Sequence, residues 1–104
     1  MTEVRFAGEV WVAPGDAAWH FVTVPEEPSE EILLASGPRI AFGSVKVEVT
    51  VGASTWSTSV FPESKGTYVL PLKRTVRDAE GILAGDVVEV TLKLASLSWE
   101  PKAM

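Results

Sequence analysis

The stretch TYVLPLKRTVRDAEGILAGDVVEVTLKL, from Thr67 to Leu94, decides the fold. Tyr68, Leu70 and Leu72 alternate with Val69 and Pro71, the period of two that gives an extended segment one apolar face. Pro71 has no N–H for a sheet ladder, so this strand is expected to end there or to lie at an edge. Lys73 to Ala79 is polar with Val76 and Ala79 three apart, which predicts about two turns of helix across a barrel end. Gly81 supplies a left-handed stop, Ile82 and Leu83 are expected to cover the core, and Gly85-Asp86 turns into the strand Val87 to Leu94. In that strand Val88, Val90, Leu92 and Leu94 share one face and Glu89, Thr91 and Lys93 the other. Arg77 and Asp86 read as a structural salt bridge or turn bond, with a ligand contact as the other reading of Arg77.

Trp19 to Thr50 repeats this plan loosely. The first half reads as strands 3–12 and 18–24, a helix 29–36 and a strand 45–51. The second reads as strands 55–61 and 68–72, a helix 74–79 and a strand 87–94. Gly8 is expected to mark a bulge or bend. Pro25 ends the second strand, Ser29 is placed to cap the first helix, Glu30 and Glu31 suit its positive end, and Gly37-Pro38 stops it. The Glu cluster thus has a local explanation in preference to a metal site. Arg39 to Gly43 is ambiguous, with a loop or bulge expected at Gly43-Ser44. Val45, Val47, Val49 and Val51, alternating with Lys46, Glu48 and Thr50, form the cleanest strand signal. In the tail, 95–104, the alternation of Leu97 and Trp99 predicts that part of it extends the last strand.

With 104 residues the chain suits one domain, 1–104, built from pseudo-repeats at about 3–51 and 55–94. No run of about eighteen apolar residues predicts a membrane span, and Met1 to Arg5 does not read as a signal peptide. The absence of cysteine excludes disulfides and thiolate chemistry and fits a reducing cytoplasm. A net charge of −5 argues against a nucleic-acid-binding surface as a whole, although Lys65, Lys73, Arg74, Arg77 and Lys93 gather in the C-terminal part.

Pro71, Arg77, Gly81, Gly85, Asp86, Val88 and Val90 resemble the motif of the AbrB-like swapped-hairpin barrels, regulators and antitoxins in which two chains pair. That resemblance implies a barrel closed here by one chain as a pseudo-dimer, and a nucleic-acid-binding regulator as the alternative function. A second pattern covers almost the whole chain. Trp19-x-Phe21-Val22-x-x-Pro25, Trp56 to Pro62, Tyr68 to Lys73, Val76-Arg77 and Gly85 to Val88 are similar to the bacterial domain of unknown function nineteen-oh-five. This family implies a small β-barrel and no established activity. The resulting expectation is a mainly β fold: a closed six-stranded barrel of the double-split type, with two short capping helices and an internal duplication of a β-β-α-β unit.

His20 is the single histidine, and nothing in its spacing supports a nucleophile elbow or triad. No phosphate loop, dinucleotide turn or zinc-ligand set is present, so no catalytic residue, cofactor or metal is assigned. Trp56-Ser57-Thr58-Ser59 stands out. In one reading Trp56 plugs the barrel and the hydroxyls make cross-strand bonds or face water. In the other, Trp56, Ser57, Ser59 and Trp19 line an open barrel end, with Lys73 and Arg77 nearby to hold an anionic group. The expected function is non-catalytic binding of a small ligand or protein partner by a cytoplasmic monomer, without membrane or nucleic acid.

Overall fold

A computed structural model of the chain describes residues 2–15, 17–36, 43–63 and 66–94. Strands β1 (Thr2–Val12), β2 (His20–Val24), β3 (Val45–Val51), β4 (Ser54–Pro62), β5 (Tyr68–Pro71) and β6 (Val87–Leu94) close into a barrel. Helices α1 (Glu26–Ser36) and α2 (Arg74–Glu80) are inserted after β2 and β5. The order around the barrel is β1-β2-β5-β4-β3-β6, and every neighbouring pair is antiparallel. Exchanging β1, β2 and β3 for β4, β5 and β6 leaves every neighbour relation unchanged.

Alternation along the strands builds the core. In β3 the four valines point inward while Lys46 and Glu48 point out, and Val88, Val90, Leu92 and Leu94 do the same in β6. Val49 opposite Leu92, both fully buried, marks the centre of this side of the barrel. Trp56, 9% exposed, is the largest side chain of the core and pairs with Val49 across the β3–β4 ladder. Among the described residues no helix is long and apolar enough to cross a membrane.

Several local expectations are corrected. Gly8 makes no bulge; it keeps its register opposite Val88, and a Cβ there would meet Val22 Cγ1 at 2.6 Å, so the residue is small because two strands converge on it. β2 begins at His20 rather than Ala18, because Ala18 has a φ of +53° and breaks the extended run. α1 begins directly after Pro25, with Glu26 and Glu27 in the first turn, where the macrodipole favours acids. Ser29 therefore lies inside the helix, not at its cap. Its buried hydroxyl donates to the Val24 carbonyl at 3.0 Å and accepts from the Tyr68 N–H at 3.1 Å, tying α1 to the end of the β2–β5 ladder.

α2 is closed by Gly81 (φ +66°) as expected, but it buries Val76 alone, and Leu83 is 71% exposed while Ile82 is buried. Arg77 and Asp86 do not pair. The Asp86 carboxylate accepts from the Leu83 N–H at 2.9 Å as a turn bond, and Arg77 Nε donates instead to Leu72 O. Glu80 fastens the helix end to the β3–β4 turn, accepting from Ala53 N–H at 3.2 Å and Ser54 Oγ at 2.6 Å. The expectations for Gly37-Pro38, Arg39 to Phe42, Lys65 and the tail with Leu97 and Trp99 lie outside the described residues.

Three substitutions test this fold by denaturant unfolding. Gly85 sits at φ +94°, and the space a Cβ would occupy there is open to 4 Å, so Gly85→Val is expected to lose about 1–2 kcal/mol or more through torsional strain alone. Ser29→Ala strips a buried N–H and a carbonyl of this partner and is expected to cost about 1–3 kcal/mol. Trp56→Ala removes the largest side chain of the core and is expected to cost about 3–5 kcal/mol. A loss near zero for any of them contradicts the role given to that residue.

Candidate functional site

The site is an opening in the barrel wall. β4 is nine residues long and β5 only four, ending where Pro71 withholds an N–H. Their ladder covers just Phe61↔Val69 and Pro62↔Tyr68, so Trp56 to Ser59 have no partner in β5. Past Pro71 the Leu72 N–H still donates to His20 O at 2.9 Å, and the chain then turns into α2, which packs against β4. Between them lies a cleft of about 380 Å³. Its lining comes from four places: Ala17 to His20 at the start of β2, Trp56 to Thr58 of β4, Pro71 to Lys73, and Arg74 and Arg77 of α2.

Five of the six residues singled out in the sequence meet here: Trp19, Trp56, Ser57, Lys73 and Arg77. Ser59 does not line the cleft; it pairs with Lys46 in the β3–β4 ladder. Trp56 faces inward with Val60, a core plug that also contributes to the cleft wall, whereas Ser57 is exposed. Trp19 is 60% exposed and its ring stacks at 6.4 Å and 18° on Phe21.

The sequence does not single out His20, Thr58, Arg74, Pro71 or Leu72 as site residues. His20 is half-buried, and its Nδ1 lies 2.8 Å from Ala18 O. A carbonyl only accepts, so Nδ1 carries the proton and donates. In the neutral ring Nε2 is then the acceptor, and Arg77 Nη1 donates to it at 3.5 Å. The left-handed backbone of Ala18 is what curls its carbonyl back to the ring. In the sequence, the clue to His20 is its place beside Trp19 at a strand start; its partner Arg77 is 57 residues away and only the fold joins them.

Charge is concentrated unevenly. Lys73, Arg74 and Arg77 face the cleft, and no carboxylate is among the described residues lining it. Arg74 makes an exposed contact of 3.7 Å to Asp78, a geometry that contributes little. Among the described residues neither Lys73 nor Arg77 has a carboxylate within ion-pair distance. Arg77 is positioned instead by its Nε, which donates to Leu72 O at 3.2 Å. A chain of net charge −5 thus presents a local cationic cradle next to two indoles. The two ring nitrogens of His20 contact Ala18 O and Arg77 Nη1, so in the described geometry His20 is not paired with a hydroxyl. Among the described residues no three His, Asp or Glu side chains converge as metal ligands.

No curated protein matches the chain. The swapped-hairpin resemblance rests on its motif residues alone. The family model for the Domain of unknown function (DUF1905) matches residues 6–92, from the first half of β1 to near the end of β6 and so across the whole cleft. The chain therefore belongs to the DUF1905 family.

Proposed function

We propose that the cleft binds a small molecule through an anionic group, without catalysis. The observation that carries this is the meeting of Lys73, Arg74 and Arg77 with Trp19 and Trp56 at a gap in the wall whose described lining holds no carboxylate. Among the described residues Lys73 and Arg77 have no carboxylate within ion-pair distance, and cations so placed beside an apolar surface suit a charged head with an apolar neighbour; about 380 Å³ lies within the roughly 300–1,000 Å³ of small-ligand sites. The Arg77 guanidinium is planar and already oriented by Leu72 O, so less side-chain freedom is lost when an anion arrives. The setting we propose is a cytoplasmic monomer, in keeping with a chain that has no cysteine.

The same reading extends to the barrel's construction. We infer a double-split barrel made of two like β-β-α-β halves, supported by neighbour relations that survive exchange of the halves. In that alignment Val22, Val24 and Pro25 answer to Tyr68, Leu70 and Pro71.

Amide-detected NMR titration with benzoate and its neutral counterpart benzamide tests the binding reading. Benzoate is expected to shift the resonances of Ser57, Thr58, Lys73 and Arg77, with benzamide at least about tenfold weaker, the order of a charge-assisted hydrogen bond. Lys73→Ala and Arg77→Ala are each expected to weaken benzoate by about three- to tenfold. Equal binding of the two probes, or binding indifferent to both substitutions, contradicts an anion site.

A further inference from the structure

A second concavity adjoins the cleft. On the outer face of the barrel, Ala13, Trp19, Phe21, Phe61, Val69 and Pro71 line an open groove of about 450 Å³ whose surface is almost wholly apolar. Phe21, Val69, Pro71 and Phe61 are outward-pointing residues of β2, β5 and β4, at positions that on β3 and β6 hold Lys46, Glu48, Glu89 and Lys93, and Ala13 and Trp19 come from the β1–β2 connection. The exterior is therefore charged on one side and aromatic on the other. Phe61 is 44% and Trp19 60% exposed. Phe21 lies between two indoles, 5.1 Å from the Trp11 ring and 6.4 Å from that of Trp19. Contiguous exposed aromatic surface of this kind marks a contact site.

Trp19 and Pro71 belong to both concavities. The apolar groove and the cleft lined by Lys73 and Arg77 therefore adjoin at Trp19 and Pro71. We infer that the ligand is an amphipathic monoanion: its head lies in the cationic cleft, and an extended or flat apolar body continues past Trp19 and Pro71 into the groove. This rests on the anion-binding reading above and adds the ligand's length and polarity to it. The cationic end favours a carboxylate or sulfonate over a neutral lipid. The near absence of polar surface in the groove disfavours a sugar or nucleotide body, whose hydroxyls and ring nitrogens would lose water without gaining partners.

The test is NMR titration of the full chain with butanoate, hexanoate, octanoate and 4-phenylbutanoate, with 1-octanol as the uncharged control. Phe61→Ser is the groove variant, because Phe61 lines the groove and not the cleft; Lys73→Ala is the cleft variant. Affinity is expected to rise by at least about twofold per added methylene, up to roughly fourfold for a methylene fully withdrawn from water. In Phe61→Ser this gain is expected to fall by half or more while butanoate binding is unchanged. In Lys73→Ala all the anions weaken by a similar factor and the chain-length gain persists. Phenylbutanoate binding much more tightly than octanoate, whose apolar surface is comparable, identifies a flat body, and the reverse an extended one. Butanoate and octanoate binding equally, with sensitivity to Lys73, overturns the amphipathic ligand and leaves the anion site standing. Octanol matching octanoate, or no probe binding at all, overturns both.

Discussion

The constraint behind this molecule is a mismatch of strand lengths. A barrel closes only if each strand is covered on both sides, yet β2 and β5, with five and four residues, lie between β1 and β4, with eleven and nine. Prolines set the short lengths: Pro25 follows β2 and Pro71 is the last residue of β5. β1 therefore pairs with β2 only from Val10 to Val12, and β4 with β5 only at Phe61 and Pro62. Two stretches of wall are left uncovered, and the chain sends a helix over each. α1 packs against β1 and β6, and α2 packs against β4.

The helices do this unequally. α1 has eleven residues and inserts Ile32, fully buried, with Ser29 bonded into the ladder end. α2 has seven residues and inserts Val76. At the second gap a cleft stays open, lined by Trp56 and by Lys73, Arg74 and Arg77. The cleft is thus what remains when a shorter helix, held at one end by Gly81 and Glu80, covers a gap of similar origin.

Much of the barrel is legible in the sequence because valine-rich alternation is a direct record of burial. Val45 to Val51 and Val88 to Leu94 read the same in sequence and in structure, and Gly81 and Gly85 mark positive φ where only glycine is free of strain. Ser29 misleads because a serine followed by two glutamates looks like a cap. Burial against β5 decides its role instead, and that contact spans 39 residues. Leu83 misleads because apolar character does not reveal direction once a helix has ended. The cleft is legible only in part. Trp56 and Lys73 stand out by type, but the meeting of His20 with Arg77 depends on the β2–β5 ladder continuing through Leu72, which no local pattern encodes.

His20 shows how the parts act together. Its Nδ1–H is committed to Ala18 O by a strained turn, and its Nε2 meets Arg77, which is itself held by Leu72 O. The ring, the guanidinium and the backbone after β5 form one chain of hydrogen bonds along the mouth of the cleft. Such a chain holds polar groups in fixed positions without an opposing charge, so the positive potential of Arg77 is left available rather than neutralised. An ion pair at that position would have fixed the side chain equally well and cancelled the field. Arg77 is thus oriented by Leu72 O and His20 Nε2 and not by a carboxylate, which is the arrangement the proposed anion site requires.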